Sequence, residues 1–344
     1  MYKNILVNAL VNLGDVVIAT SALDLIKKNF PDTKITMLVK NVVKDAVIDN
    51  PAVDDVIAFE YTARKNSLGA MYKIIKEIRR RKFDLAISFD RKLRPALITF
   101  AAGIPRRVCP TKIFEQKKSR VQMFYTDVIE MNYDLFSKPQ AENFQEIVRK
   151  FFKIEGHGSP QFPTKFSANV EKLLNQIPKD KIKIALCVKG TFPLKTYPKE
   201  YFAEVVNALR EKYNAAFFII GAPNDKNYAD EVIAEIGGGV LNFCGETSLP
   251  DLAEIFRRAD LLITVDTGAM HIAATTEIKT VALFCCSPIV RYSPINKNSV
   301  VLSSREPCCP CHIREKECPS YPKSNCLYNV KPAEVIAAAV KFLG

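Results

Sequence analysis

Short apolar runs alternate with amphipathic stretches along the first half of the chain. Residues 4–11 (NILVNALV) form an apolar run, a turn follows at residues 12–15 (NLGD), and the spacing of apolar residues through Lys28 predicts a helix. The alternation of predicted strands and helices then continues to residue 153. Its further members are strands at residues 34–39, 53–60, 83–90 and 103–110 and helices at about residues 42–50, 67–82 and 140–153. This order predicts a parallel sheet covered by helices on both faces.

The same alternation restarts after a break rich in Gly, Pro and Ser at residues 155–168, which is the best candidate for a linker. We therefore predict an N-terminal domain at residues 1–160, a second domain at residues 161–330, and a C-terminal helix at residues 331–344 that packs back on the body. The second half is predicted to have strands at residues 181–188, 215–221, 239–245, 260–266 and 279–286 and helices at residues 198–212, 225–236, 249–258 and 268–275.

Two doubly wound α/β domains that face each other across a cleft would place the carboxyl ends of both sheets at that cleft. Ligands of open α/β sheets bind at this edge, so the functional residues are expected in the turns that follow strands. The turns of interest lie at residues 12–15, 190–195, 221–225 and 266–271.

Length and composition agree with two domains and narrow the class of protein. The 344 residues, of which 48% are hydrophobic, are enough for two cores of ordinary size. Polar residues interrupt each long apolar stretch before it could span a bilayer, and the N-terminus has no small-residue cleavage site. We therefore predict a cytoplasmic protein, in which the ten cysteines are thiols or metal ligands rather than disulfides.

The chain is basic, with 49 Lys and Arg against 37 Asp and Glu and a net charge of +12. Basic clusters at residues 79–82, 91–94 and 106–107 all lie in the first third. Nucleic acid, an anionic membrane surface and a phosphorylated substrate would each satisfy this charge, and solvated helix faces are the simplest alternative.

Two turns in the second half have the chemistry of a phosphate site. At residues 265–271 (VDTGAMH) a strand leads into a helix whose first amides have no internal partner, so the turn either binds phosphate or is a plain capped turn. The carboxylate of Asp266 suits a hydroxyl, an N-cap position or the amides of the turn. The loop at residues 189–198 places Lys189 and Lys195 around a Gly-Thr pair, but it lacks the P-loop spacing, which disfavours an ATPase or GTPase.

The first strand-to-helix turn contains one glycine, Gly14, and therefore lacks the GxGxxG pattern of dinucleotide dehydrogenases. Asp15 follows at the start of the helix. Its carboxylate either caps the helix or, if it points into the cleft, takes a proton from an acceptor hydroxyl.

Cysteines are concentrated near the C-terminus. Cys309, Cys311, Cys318 and Cys326 follow the spacing C-x-C-x6-C-x7-C, which matches no repeat of CxxC pairs. Zinc or an iron–sulfur cluster is one interpretation, and reduced thiols in a proline-rich loop are the favoured one, so no metal site is predicted. The pair at residues 285–286 ends an apolar strand and is interpreted as buried and hydrophobic.

Three blocks of sequence together resemble glycosyltransferase family 9, the ADP-heptose:lipopolysaccharide heptosyltransferases, along nearly the whole chain. They are ILVNALVNLGDVVIATSAL with the following FPDTKITMLV, KTYPKEYFAEV after GTFPL, and SLPDLAEIFRRADLLITVDTGAMHIAATTEIKTVALF. The cysteine-rich tail that ends in CL before KPAEV is similar to the second-heptosyltransferase branch of the family.

The resemblance implies a GT-B fold with the acceptor on the N-terminal domain and ADP-heptose on the C-terminal domain. It implies an inverting transfer that needs neither metal nor cofactor, onto the Kdo/heptose–lipid A inner core of lipopolysaccharide. The enzyme would lie peripherally on the inner face of the cytoplasmic membrane, with no nucleic acid as partner. A related enzyme that uses another nucleotide sugar, and a non-catalytic nucleotide- or nucleic-acid-binding module, remain as alternatives.

Carried over residue by residue, the resemblance implies that Asp15 is the general base and that Lys195 offsets charge on the leaving ADP. A ribose contact is implied at Asn224 or Asp225. In the family a glycine usually follows VALF, whereas Cys285 and Cys286 stand here, which puts the fit of the donor sugar in question. The remaining implied residues are Gly190, Thr191, Asp266, Thr267, Gly268 and His271 for the donor and Asn12, Gly14, Arg91 and Arg94 for the acceptor.

Overall fold

The computed structural model describes residues 2–60, 68–89, 92–111, 120–131, 137–311, 318 and 326–344. The chain divides into two compact units, Met1–Pro163 and Thr164–Gly344. The boundary between them falls inside the stretch that is rich in Gly, Pro and Ser.

The first unit is a parallel sheet of six strands in the order β3-β2-β1-β4-β5-β6. This order reverses direction between β1 and β4, as in doubly wound Rossmann folds. Its strands are β1 (Asn4–Ala9), β2 (Lys34–Lys40), β3 (Asp55–Phe59), β4 (Leu85–Ser88), β5 (Arg106–Pro110) and β6 (Asp127–Ile129), and its helices are α1 (Leu13–Asn29), α2 (Leu68–Arg81), α3 (Leu93–Ala101) and α4 (Gln140–Phe152).

Helices cover both faces of the first sheet, because its strands are apolar on both sides. Helices α2 and α3 bury Ile74, Ile78 and Ile98 against one face, and α1 packs against α4. Helix α3 and strand β6 do not appear in the pattern of apolar residues along the sequence. The helix predicted at residues 42–50 is wrong in type and length, since Asn41–Ala46 forms a short 3-10 helix.

The second unit repeats this architecture with a parallel sheet of six strands in the order β12-β11-β10-β7-β8-β9, which reverses direction between β7 and β10. Its strands are β7 (Ile182–Cys187), β8 (Ala215–Ile219), β9 (Val240–Asn242), β10 (Leu261–Val265), β11 (Lys279–Phe284) and β12 (Ser299–Ser303), and its helices are α5 (Asn169–Leu174), α6 (Lys199–Lys212), α7 (Lys226–Ile236), α8 (Leu249–Arg258), α9 (Gly268–Ala273), α10 (Ile289–Tyr292) and α11 (Pro332–Leu343).

The predicted C-terminal helix is α11, which packs on α6 and on strands β10, β11 and β12 of the second sheet. Near it, the buried hydroxyl of Tyr197 donates a hydrogen bond of 2.8 Å to the carbonyl of Val330. Within the described residues, no helix has both the length and the apolar character needed to cross a bilayer.

Each end of the linker is fastened to its own unit. On the first unit, the Gln161 amide donates to Thr20 Oγ1 at 2.8 Å and its carbonyl accepts from Asn50 at 2.9 Å. On the second, Asp251 accepts hydrogen bonds from the amide and hydroxyl of Ser167 at 2.7 and 3.0 Å. Asp251 also completes the capping box of α8 with Ser248. These bonds leave residues 162–166 between the two fastened points.

Candidate functional site

The topology of each sheet marks one edge as the site for ligands. Ligands of doubly wound sheets bind beyond the carboxyl ends of the strands where the strand order reverses, between β1 and β4 in the first unit and between β7 and β10 in the second. The turn at residues 12–15 follows β1, the loop at residues 190–195 follows β7, and the turn at residues 266–271 follows β10. These three turns therefore lie at the reversal points, whereas the predicted residues Asn224 and Asp225 follow the neighbouring strand β8.

In the second unit, the structure brings two of the predicted donor turns into contact. Lys195 ends the short 3-10 helix Pro193–Lys195, and its Nζ lies 2.5 Å from Oδ2 of Asp266. Both side chains are largely buried, with 16% and 8% of their surfaces exposed. A buried carboxylate is stable only when it is paired and hydrogen-bonded. Asp266 is therefore engaged with Lys195, and the N-cap position of α9 belongs to Thr267.

Gly190 allows the loop to fold back on itself. A Cβ atom at this position would lie 2.4 Å from both Cβ and the carbonyl oxygen of Lys195, closer than real Cβ contacts. Only glycine therefore fits where the loop crosses its own backbone. This crossing sets the position of Lys195 opposite Asp266.

His271 lies on α9 with 6% of its surface exposed. Burial lowers its pKa to about 4; the nearby Asp266 carboxylate acts in the opposite direction and Lys195 lowers the pKa further. The imidazole is consequently neutral at physiological pH. In this site it supplies a neutral donor and acceptor of hydrogen bonds, while Lys195 supplies the positive charge.

Thr267 is placed as an N-cap residue but its side chain makes no capping hydrogen bond. Its hydroxyl lies 3.6 Å from the thiol of Cys187 at the end of β7. Gly268 begins α9 directly after it. The simple capped turn considered from the sequence is therefore not formed through the Thr267 hydroxyl, and that side chain faces the neighbouring strand end.

A second lysine lies at the other end of the loop. Nζ of Lys189 is 3.0 Å from Oδ1 of Asp225 and 3.4 Å from the carbonyl oxygen of Asn224. Asp225 also accepts a hydrogen bond of 3.0 Å from the Ala222 amide. Of the two residues predicted near the ribose, Asp225 is held through its carboxylate, whereas Asn224 contacts Lys189 through its main chain and has an exposed side chain.

In the first unit, α1 begins at Leu13, and Asn12 occupies its N-cap position. Asp15 is therefore not the N-cap residue; it lies half-buried in the first turn, where the helix dipole favours a negative charge. The Asn12 amide oxygen accepts a hydrogen bond of 3.1 Å from Lys40. Arg94 is half-buried near the start of α3, and the predicted acceptor residue Arg91 lies outside the described residues.

Comparison with known proteins decides the family. The model described as glycosyltransferase family 9 (heptosyltransferase) matches residues 71–322, which is most of the chain. The chain belongs to this family. It is accordingly a glycosyltransferase, and its two doubly wound units form the GT-B fold of the family's solved members.

Individual relatives are similar over most of the chain. Lipooligosaccharide heptosyltransferase 2 of Campylobacter jejuni is 25% identical over 96% of this chain and 95% of its own length. Lipopolysaccharide heptosyltransferase 2 of Escherichia coli is 22% identical over 79% of this chain and 80% of its own.

Solved structures share the fold. A family 9 glycosyltransferase from Veillonella parvula superposes with a TM-score of 0.86 at 22% identity, covering 99% of this chain and 97% of its own. The E. coli ADP-heptose lipopolysaccharide heptosyltransferase II superposes with a TM-score of 0.78 at 18% identity, covering 99% of this chain and 98% of its own.

Cys285, which directly follows β11, contacts the loop that carries Lys195, and Cys286 lies next to it. Both are buried, as the sequence predicted, and the Cys285 thiol donates to the Leu194 carbonyl at 2.9 Å. A hydrogen bond from Cys285 lowers the pKa of the Cys286 thiol, burial opposes this, and Lys195 lowers the pKa further. The sequence predicted the burial of both cysteines but missed the contact of Cys285 with this loop.

The C-terminal cysteines form a less exposed group than their sequence suggests. Cys318 and Cys326 are buried, Cys311 is half-buried, and Cys309 is hydrogen-bonded through its thiol to Cys326. Among the described residues, no three His, Cys, Asp or Glu side chains are arranged to hold a metal ion. The thiols of Cys309 and Cys326 pack beside the core of the second unit.

Proposed function

We propose that this glycosyltransferase transfers heptose from ADP-heptose to the Kdo/heptose–lipid A inner core of lipopolysaccharide. The observation that carries the proposal is the buried pair of Lys195 and Asp266 at the reversal point of the second sheet, in a chain of family 9. The relatives named lipooligosaccharide and lipopolysaccharide heptosyltransferase 2 support this choice of substrates.

The donor binds to the second unit in this proposal. The ammonium groups of Lys195 and Lys189 lie on the loop after β7 and supply positive charge for a diphosphate. Such charge must be in place where negative charge grows on the leaving group, and lysines supply it without a metal ion. Asp266 holds Lys195 in position before the donor binds, and its carboxylate accepts a hydrogen bond from a sugar hydroxyl. Gly190, Thr191, Thr267, Gly268 and His271 line the same two turns.

The chemical step is an inverting displacement with Asp15 as the general base. Its carboxylate takes the proton of an acceptor hydroxyl as that oxygen attacks the anomeric carbon of heptose. The bond from this carbon to the diphosphate oxygen breaks, the configuration inverts, and ADP leaves with its charge balanced by Lys195. The half-buried position of Asp15 beyond the end of β1 supports this role, because the reversal point is where ligands of such sheets bind.

The acceptor binds to the first unit, where Asn12, Gly14 and Arg94 lie near the same sheet edge, with Arg91 beyond the described residues. An inner core that carries acidic sugars and phosphates fits the basic character of this unit. The acceptor is anchored in a lipid layer, so the enzyme works peripherally at the inner face of the cytoplasmic membrane. Nucleic acid has no part in this proposal.

The test is to incubate the purified protein with ADP-heptose and a heptose-deficient core acceptor and to measure ADP release and product mass. Reactions without acceptor, and with UDP-glucose in place of ADP-heptose, are the controls. We expect ADP release that requires both substrates and a product heavier by one heptose. Turnover with another nucleotide sugar alone would contradict the choice of donor, and no turnover with any donor would contradict the transfer itself.

A further inference from the structure

The exposed surface formed by α2, α3 and the 3-10 helix Arg120–Phe124 combines cationic and apolar side chains; we call it the cationic face. These three elements are neighbours, since α3 packs against both α2 and the segment Arg120–Phe124. They cover one side of the first sheet, and they belong to a later part of the chain than the Asn12–Asp15 turn. Of the residues given roles above, Arg94 lies on α3, and it is half-buried rather than on the exposed surface.

Helix α2 carries a continuous cationic stripe. Tyr72, Lys73, Lys76, Arg79 and Arg80 are all exposed and fall within one third of the helix circumference. The opposite side of the helix buries Ile74 and Ile78 in the core. The rotation of the helix is thereby fixed, and its cations point away from the sheet.

The charges of this stripe are not compensated within the described part of the chain. Glu77, the acidic residue of α2, is paired with Arg81 at 2.7 Å, off the stripe. Lys73, Lys76 and Arg80 form no ion pair with any described carboxylate. A cluster of like charges repels itself, so its presence favours an anionic partner.

Apolar side chains emerge from the same face. Tyr72 is 66% exposed, Leu93 and Phe100 of α3 are 52% and 50% exposed, and Met123 is 74% exposed. Leu93 and Phe100 are two helical turns apart and therefore lie on the same side of α3. The face is held together at its centre, because Arg79 donates a hydrogen bond of 2.5 Å to the Ala101 carbonyl at the end of α3.

We propose that the cationic face docks the enzyme on the surface of an anionic phospholipid bilayer. Lys and Arg side chains attract anionic headgroups, while exposed tyrosine and aliphatic side chains insert at the boundary between headgroups and acyl chains. The combination of cations and apolar tips distinguishes such a surface from a purely electrostatic patch for nucleic acid or free phosphate. Docking on a bilayer goes beyond the proposed heptose transfer. It rests on the proposed function because a lipid-anchored acceptor would bring the enzyme to a bilayer surface.

The test is partition of the full-length protein onto vesicles, measured by sedimentation. Vesicles of phosphatidylglycerol mixed with phosphatidylcholine are compared with vesicles of phosphatidylcholine alone. Wild type is expected to bind the mixed vesicles, to bind neutral ones weakly, and to lose affinity as salt is raised. Equal binding to both compositions, or to neither, would overturn the proposal.

Variants locate the surface. Each cation near an anionic membrane contributes a factor of about 5, so the triple variant Lys73→Gln, Lys76→Gln, Arg80→Gln should partition about 100-fold more weakly. The matched control removes three exposed lysines from the second unit, Lys172, Lys179 and Lys212, by the same change to Gln. An equally large loss in the control would show that only net charge matters and would overturn the assignment to this face.

A further variant tests the insertion of an apolar side chain, and a nucleic-acid ligand tests the alternative partner. Tyr72→Ser should weaken partition several-fold while leaving its salt dependence unchanged; an unchanged partition coefficient would contradict insertion of this side chain. If wild type binds single-stranded DNA more tightly than mixed vesicles, and the triple variant loses that binding, the partner is nucleic acid and the lipid assignment is wrong.

Heptose transfer to a delipidated acceptor provides the link to the proposed function. We expect the triple variant to keep wild-type turnover on this soluble acceptor while losing vesicle binding. Vesicle binding by a wild type that transfers no heptose would contradict the proposed function and leave the docking surface standing. Heptose transfer by a wild type that does not bind vesicles would support the proposed function and overturn the docking surface.

Discussion

Substitution of Gly190 by alanine tests whether the fold of the loop after β7 places Lys195 at the donor. The added Cβ would lie 2.4 Å from the Cβ and carbonyl oxygen of Lys195, and real Cβ atoms do not come closer than 3.0 Å. The neighbouring atoms include backbone, so Lys195 must move by more than half an ångström. Overpacking of this kind costs about 1–3 kcal/mol of stability. A displacement of ~1 Å at a site that positions substrate lowers the rate by about 100-fold.

Three measurements on Gly190→Ala test this reasoning: thermal unfolding, calorimetric ADP affinity and turnover with ADP-heptose. We expect a moderately lower Tm, weaker ADP binding and turnover reduced by about 100-fold. The matched control is Gly237→Ala at the C-terminus of α7, where φ is +88° and no atom lies near the added Cβ. It should lose about 1 kcal/mol of stability through backbone strain while keeping its ADP affinity. Wild-type ADP affinity and turnover in Gly190→Ala would refute the reasoning.

Three further results are expected. Lys195→Ala should weaken ADP binding by about 10- to 100-fold, because it removes charge-assisted contacts to the diphosphate; equal affinities by calorimetry would place the diphosphate elsewhere. Asp251→Asn should lower the free energy of unfolding by about 2 kcal/mol at pH 7. Burial raises the Asp251 pKa, but hydrogen bonds from the Ser167 amide and the Ser248 and Ser167 hydroxyls outweigh it, and the pKa lies below its usual value of 3.8. The stabilisation is therefore present above pH 3.8 and lost as pH falls through the native pKa, so denaturation curves of variant and wild type should converge in strong acid. His271 should stay neutral in NMR titration down to about pH 5, since its pKa is about 4; a midpoint near 6.5 would contradict its burial.

The depressed pKa of His271 also has a consequence for stability. The native pKa of about 4 lies below the ordinary value of 6.5, so the unfolded chain binds the proton more readily between these values. The contribution of His271 is fully present above pH 6.5 and is lost as pH falls towards 4. Asp251 and His271 therefore both contribute to the acid sensitivity of the second unit.

The alternation of apolar runs was sufficient to predict the doubly wound sheets, because strands buried on both faces must be continuously apolar. Helix α3 escaped prediction since Pro95 and the basic residues before it resemble a loop, although Pro is well tolerated in the first turn of a helix. The segment after Lys40 was predicted as a longer α-helix; the short 3-10 helix that forms instead contacts α1, β2 and β3, and these tertiary contacts have no signal in the local sequence.

The sequence predicted which residues form the candidate site, but it did not predict which of them contact one another. The sequence placed Lys195 and Asp266 in two separate turns; their contact follows from the parallel pairing of β7 with β10, which brings the two strand ends together. The sequence left Asp15 open between a helix cap and a base, and the start of α1 assigns the cap position to Asn12. The contact of Cys285 with the Lys195 loop depends on side-chain packing, which no local pattern encodes.

Donor binding and heptose transfer measured in the variant Asp15→Asn test the proposed mechanism most directly. This change keeps the size of the side chain, but it replaces one acceptor oxygen by an NH2 donor and removes the ability of the side chain to take up a proton. We expect wild-type affinity for ADP-heptose and turnover reduced by about 100-fold or more. Wild-type turnover in Asp15→Asn would contradict the assignment of Asp15 as the base.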